Sequence, residues 1–236
     1  MASLVEEVAS RLDARLKRVM LGEFRLERHL AGVRSYLLLG QSDFAGHLVE
    51  GMGPDLALPS KEISEMQLQR AINYALQASA SASGAASADE ALVQSCVRVS
   101  LAPADGASGW ECVRLQYRVS PPVSTVLTPE CMAKYARASA LLLKLKRVEA
   151  ALGAAWRGLK PNDAVLRSSR TRRAHDGDPD PEVQFTRRYG ALVQQATLIR
   201  SRMAALVSGL LGYMMFDVIE VEVRGGTAAA ASVRHP

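Results

Sequence analysis

Apolar residues recur along this chain at two spacings, and the change of spacing divides it. Leu4, Val8, Leu12, Leu16 and Val19 share one face of a predicted helix over residues 3–20. After Gly22 the same period restarts through Leu26, Leu30, Val33 and Leu37, and Gly40 is the expected stop. Ser42 or Asp43 is placed to cap a short third helix through Phe44, Leu48 and Val49. Gly51, Gly53, Pro54 and Pro59 then predict a loop. Ser64 with Gln67 three residues on forms a capping box, opening a helix to about residue 77.

Beyond residue 95 the period drops to two. Val97, Val99 and Leu101 alternate with polar residues, as do Val113, Leu115, Tyr117 and Val119, around a glycine-rich turn. This predicts a β-hairpin pairing 96–101 with 111–119, stopped by Pro121 and Pro122. Helical period then returns. Thr128, Pro129 and Glu130 supply an N-cap, a first-turn proline and an acid at the positive end of a helix dipole. Met132, Tyr135, Leu142, Leu145, Val148, Leu152 and Trp156 give this long helix its apolar face. A last helix opens at Asp180 and Pro181. Phe185, Tyr189, Leu192, Ala196, Ile199, Met203, Leu206, Leu210 and Tyr213 step along it by four and three, a heptad pattern. If it runs to residue 220 its length is about 58 Å.

The fold class that follows is mainly α, a helical bundle with one inserted β-hairpin. Residues 1–223 form the ordered region, with mobile inserts expected at 79–91 and 167–181 and a disordered tail at 224–236. These segments offer no apolar face to offset the entropy of ordering. The heptad helix suits either an intermolecular coiled coil or a place inside the bundle; the chain's own supply of partner helices favours the bundle.

Composition narrows the chemistry. Of 236 residues 48% are hydrophobic but only 5% aromatic, so the core must be Leu, Val, Met and Ala, which favours helix. The net charge of +5 comes from bases interspersed with acids, as on solvated helix faces. The run at 167–173 is basic but lacks interleaved aromatics and is followed by acids, so no nucleic-acid partner is expected. The acidic N-terminus does not read as a signal peptide, and the uncharged run between Arg202 and Asp217 is shorter than the roughly 20 residues that span a bilayer. No membrane association is expected, and the cytoplasm is the predicted location.

Candidate reactive groups are few. Cys96 and Cys112 read as small residues on paired strands rather than as a disulfide. Cys131, in the first turn of a helix, could form a dyad with His29 or His47, but a packing role is favoured. Those two histidines lack further ligands at metal spacing. Asp43 reads as a cap rather than as an acid or base. Gly40, Gly46, Gly51 and Gly53 match no phosphate loop. No catalytic residue, cofactor or metal is expected.

An ordered set of blocks carries a resemblance. It comprises Tyr36-Leu-Leu-Leu-Gly-Gln-Ser-Asp-Phe, Gly53-Pro with Pro59 and Ile63-Ser64, and Gly109-Trp110 opening the second strand. It continues with Val126-Leu-Thr-Pro-Glu-Cys-Met-Ala-Lys-Tyr, Leu143-Lys-Leu-Lys-Arg-Val-Glu, Trp156, Lys160-Pro-Asn and Tyr213-Met-Met-Phe-Asp-Val-Ile-Glu. Together they resemble the gamma-tubulin complex components, and within that family the component 3 branch of green plants. Ser42 departs from the glycine usual at that position. The resemblance covers about residues 3–222 and implies the first part of the C-terminal, gamma-tubulin-binding half. It implies a non-enzymatic scaffold whose partners are gamma-tubulin and other components of the complex, supporting microtubule nucleation at microtubule-organising centres and spindle poles. The alternative is a truncated helical interaction module without nucleating activity. The partner-binding residues it suggests are Gly40, Gln41, Asp43 and Phe44 in one block and Thr125, Thr128 and Tyr135 in the other.

Overall fold

A computed structural model describes residues 2–83, 88–102, 108–173 and 181–221, with side chains over 5–81, 89–102, 108–159 and 188–221. The elements are α1 (Ala2–Gly22), α2 (Leu26–Gly32) running into a π-helical turn (Val33–Leu37), α3 (Ser42–Leu56), α4 (Glu65–Ser83) and α5 (Ala88–Ser95). Then come β1 (Val97–Leu101), the single helical turn α6 (Gly109–Cys112), β2 (Val113–Tyr117), α7 (Pro129–Arg173) and α8 (Pro181–Gly212), which passes into a second π-helical stretch (Tyr213–Glu220). The fold is mainly α with one hairpin, as the two periods predict.

The chain divides into two compact units, one of residues 1–146 and 215–236 and the other of residues 147–214. In the first, α3 packs along α4. Phe44, Leu48, Met52 and Leu56 from α3 and Leu68, Ile72 and Ala75 from α4 are fully buried. Helical spacing puts each set on one face, so the pair closes as ridges against grooves. Of the loop expected through Gly51, Gly53, Pro54 and Pro59, residues 51–56 are instead the end of α3, and the chain leaves the helix at Ala57. Pro54 forfeits one hydrogen bond, while Met52 and Leu56 on the buried face hold the last turn in place.

The hairpin lies against this pair. Val97 pairs with Tyr117, Val99 with Leu115 and Leu101 with Val113 in an antiparallel register. Val97, Val99, Val113, Leu115 and Tyr117 turn inward. The open edge of β1 is met by α4 side chains. The Val99 N–H donates to Gln69 Oε1 at 3.1 Å and the Leu101 N–H to Glu65 Oε1 at 2.9 Å. An exposed strand edge invites pairing with other chains, and these two side chains occupy it. Gly109 admits the close approach of α6, since a Cβ there would lie 2.2 Å from Ile63 Cδ1 and 3.0 Å from Leu56 Cα.

Three expected bounds change here, the start of the second strand, the loop at 79–91 and the insert at 167–181, while the expectation of no Cys96–Cys112 disulfide agrees with the structure. Gly109 to Cys112 form a helical turn, so the second strand begins at Val113 rather than at 109–111. Cys112 stands beside Ala102 and Cys96 beside Arg118, at opposite ends of the hairpin, and both thiols are free. The Ala- and Ser-rich stretch expected as a loop is helix through Ser83 and again from Ala88, because alanine is the strongest helix former. Residues 84–87 lie outside the described residues. Likewise α7 continues to Arg173 and α8 begins at Pro181, so of the insert expected at 167–181 only 174–180 lie outside them, as does the tail from 222.

In the second unit α7 and α8 meet where the Arg200 guanidinium lies 4.7 Å above the Trp156 ring. Val193, Val207 and Leu211 are buried on α8. The heptad stripe is not. Tyr189, Leu192, Ile199, Met203, Leu206, Leu210 and Tyr213 are all exposed, Leu206 by 73%. The expectation that bundle partners cover this stripe is overturned: the buried residues lie beside it on the helix surface. Along α1 likewise, Val5, Val8, Leu12 and Leu16 are exposed, and among the described side chains of this helix only Met20, near its end, is buried. The helical run Arg188–Glu220 is long and apolar enough to cross a bilayer by length and composition alone, a test that the core helix of a soluble protein also passes.

Candidate partner-binding site

The corner at residues 33–44 begins where α2 widens. Leu38 N–H donates to Val33 O at 2.9 Å, Gly40 N–H to Arg34 O at 3.1 Å and Gln41 N–H to Ser35 O at 3.1 Å. These bonds reach five and six residues back, the geometry of a π-type turn rather than of an α-helix. The helix therefore ends at Leu37, ahead of the predicted stop. The left-handed residue is Leu39, with φ 54°, and not Gly40. Gly40 is required for space: a Cβ would lie 2.8 Å from the Arg34 carbonyl oxygen. Leu39 holds an uncommon conformation because its side chain is buried in the core.

The corner's inner side is a rigid core. Tyr36, Leu37, Leu38, Leu39 and Phe44 are buried, and the Tyr36 and Phe44 rings meet edge to face at 5.1 Å. Tyr36 donates its hydroxyl hydrogen to Glu90 of α5 and accepts from Gln94 Nε2 at 3.2 Å. Burial, reinforced by the Glu90 carboxylate, pushes the Tyr36 phenol up to about 12, so it stays a donor. Asp89 of α5 pairs with Arg25 and, at 3.8 Å, with Arg28. His29 of α2 hydrogen-bonds the Tyr117 hydroxyl through Nδ1 at 2.9 Å, and its burial lowers its pKa. Gly32 makes room for this junction, since a Cβ there would meet Val93 Cγ1 at 2.1 Å and the Tyr117 hydroxyl at 3.0 Å. Arg34 pairs with Glu220 and ties the corner to the end of the second π-helical stretch. None of these partners could be paired from the sequence. The contacts join residues 54 to 186 positions apart, and no local motif marks them.

The outer side presents Gly40, Ser42 and Asp43, with Gln41 half-exposed. Gln41, not Ser42 or Asp43, is the N-cap of α3, and it makes no side-chain capping bond. Asp43 stands in the first turn, where its charge suits the helix dipole. Phe44 is 0% exposed, so it cannot touch a partner and instead holds the corner from within.

The second block divides in the same way. Thr125 is exposed and its hydroxyl donates to Pro122 O at 2.6 Å, closing the 3₁₀ turn Val123–Thr125. Thr128 is exposed and its Oγ1 accepts the Cys131 N–H at 3.3 Å, the predicted cap of α7. Tyr135, one turn into α7, is half-buried. Both blocks are accessible, but the corner's neighbours are α2, α5 and β2, while the second block opens α7. His29 is committed to Tyr117, which removes it as a base for Cys131. Among the described residues no group of three or more His, Cys, Asp or Glu is placed to hold a metal ion. The arrangement is one of surfaces held by a buried frame.

The family model described as Gamma tubulin complex component C-terminal matches residues 26–224. The chain belongs to the gamma-tubulin complex component family. Gamma-tubulin complex component 3 of Arabidopsis thaliana is 31% identical over 92% of this chain and 24% of its own length. Spindle pole body component 98 of Dictyostelium discoideum is 26% identical over 92% of the chain and 24% of its own length. Human gamma-tubulin complex component 3 is 29% identical over 84% of the chain and 20% of its own length. The chain thus spans about a quarter of the length of the curated relatives it matches. Both candidate blocks, the hairpin and all of α8 fall inside the matched residues.

Proposed function

We propose that this chain is part of a scaffold subunit of the gamma-tubulin complex, one that receives gamma-tubulin and neighbouring components and supports microtubule nucleation. The observation that carries the reading is the family match over residues 26–224, which takes in the corner frame and both candidate blocks. Such a role is geometric and needs no catalysis. Holding subunits in register makes each further contact intramolecular and so offsets the entropy of assembling a nucleus. The proposed partner-facing residues are Gly40, Gln41 and Asp43 at the corner and Thr125 and Thr128 beside α7, with Phe44 and Tyr36 as the frame that positions the first three. Spindle poles and other microtubule-organising centres are the proposed location.

The test is a pull-down of purified gamma-tubulin by the whole chain, with Asp43→Lys and Thr128→Lys beside the wild type. Both positions are exposed, but Thr128→Lys removes the α7 cap and Asp43→Lys puts a cation at the α3 N-terminus, so folding of each variant is checked by circular dichroism first. Retention by the wild type and loss in the variants is the expected result. A folded wild-type chain that retains no gamma-tubulin removes the assignment; retention unaffected by either variant removes these two blocks from it.

A further inference from the structure

The chain's charge is distributed unevenly. Its net charge of +5 arises from 29 Lys and Arg against 24 Asp and Glu. Between Glu130 and Glu149 on α7 stand Lys134, Arg137, Lys144, Lys146 and Arg147, with no acid among them. That run equals the entire surplus, and the rest of the chain holds 24 charges of each sign.

Folding places three of these bases together. With 3.6 residues per turn, Lys134, Arg137, Leu141 and Lys144 lie on one face of α7, about 15 Å from end to end. Ser139, Leu142 and Leu143 turn into the protein. Lys134, Arg137 and Lys144 are exposed, and Leu141 among them is 48% exposed. Glu130 borders the face one turn before Lys134. A helix face made only for solubility mixes signs, because like charges three residues apart repel. Here the signs do not mix, and an apolar side chain stands at the centre.

We propose that this face of α7 docks an acidic protein segment, one carrying Asp or Glu side chains to meet Lys134, Arg137 and Lys144 and an apolar side chain to cover Leu141. The proposal rests on reading the chain as a subunit that receives another protein. An apolar centre with a charged rim is the anatomy of a protein interface. Single-stranded nucleic acid would need aromatic rings among the bases to stack on, and Tyr135, the nearest ring in sequence, is half-buried.

The experiment measures binding of the whole chain by fluorescence anisotropy to three probes: a synthetic helical peptide of Glu and Leu in alternating turns, purified gamma-tubulin, and oligo-dT. Two folded variants are compared, Lys134→Glu/Arg137→Glu/Lys144→Glu on α7 and a charge-matched control, Arg15→Glu/Lys17→Glu/Arg18→Glu on α1. The expected result is that peptide and gamma-tubulin binding fall on the order of tenfold in the α7 variant and hold in the α1 control, with a salt dependence that the α7 variant loses. Equal loss in both variants reduces the effect to net charge and overturns the proposal. So does gamma-tubulin binding untouched by the α7 reversal, which leaves the scaffold reading intact. Oligo-dT bound more tightly than the peptide, with the same α7-specific loss, overturns it in favour of nucleic acid. A wild type that binds the peptide with α7-specific loss but not gamma-tubulin upholds the face and removes the scaffold reading.

Discussion

The corner at residues 33–44 and the long helix α8 carry apolar patterns of similar clarity, yet the molecule uses them differently. At the corner the periodic residues are covered: Leu37 is 1% exposed and Phe44 0%. On α8 the heptad residues face outward, and the buried Val193, Val207 and Leu211 lie beside them. Periodicity states which residues share a face of a helix. Whether that face is covered depends on what else the chain brings to it, and spacing carries no such information.

The contrast breaks most plainly under matched truncations. Leu37→Ala is expected to cost about 2–5 kcal/mol, because it empties a covered site. Leu206→Ala, from the same residue type at an equally regular position, is expected to cost under about 0.5 kcal/mol. Urea unfolding of both variants decides it. A large loss at Leu206 would mean that the stripe is covered in solution.

Legibility follows the same division. The two periods located the hairpin, and the Thr128–Pro129 start of α7 was readable because capping is local chemistry. The ends of α3 and α4 were not, for two reasons: Pro54 is held helical by the buried Met52 and Leu56, and in the Ala–Ser stretch alanine's helix propensity outweighs the low complexity and extends α4. The candidate site was legible as a place rather than as a mechanism. Gly40, Gln41 and Asp43 do reach the surface, but Phe44 does not. The buried frame beneath them, from His29 and Tyr36 to Glu90 and Tyr117, joins residues too far apart in sequence for any spacing rule to pair.

Glycines sharpen the comparison next. Gly32→Ala drives a methyl group into Val93 and the Tyr117 hydroxyl, and is expected to cost about 1–3 kcal/mol. Gly209→Ala on α8 meets nothing within 4 Å. It is expected to stabilise by roughly 0.5–1 kcal/mol, since alanine loses less entropy in a helix. Opposite shifts in the melting temperature are the expected reading, and a stable Gly32→Ala would show that the α2–α5 junction has slack.

The corner frame also predicts a pH dependence. Burial lowers the His29 pKa from its ordinary 6.5, so the folded protein holds this ring neutral. Below that value the unfolded chain binds a proton that the folded one refuses. Stability is therefore whole above pH 6.5 and declines as the pH falls from there through the lowered folded value. His29→Gln keeps a polar partner for Tyr117 but cannot titrate. Its stability, followed by urea midpoints between pH 7.5 and pH 5, is expected to decline less than that of the wild type. Identical profiles would place the acid sensitivity elsewhere.

The smallest effect belongs to the two-helix unit. The Arg200 guanidinium lies 4.7 Å over the Trp156 ring, and Trp156 is partly exposed. A cation over an aromatic face at a site open to water is worth about 0.5–1 kcal/mol. The single variants Trp156→Leu and Arg200→Gln each remove other contacts as well, so only the coupling between them isolates the pair. A double-mutant cycle is expected to return a coupling of that size. A coupling near zero would place the attachment in the burial of Val193, Val207 and Leu211 instead, and the unit would hold together by area rather than by this pair.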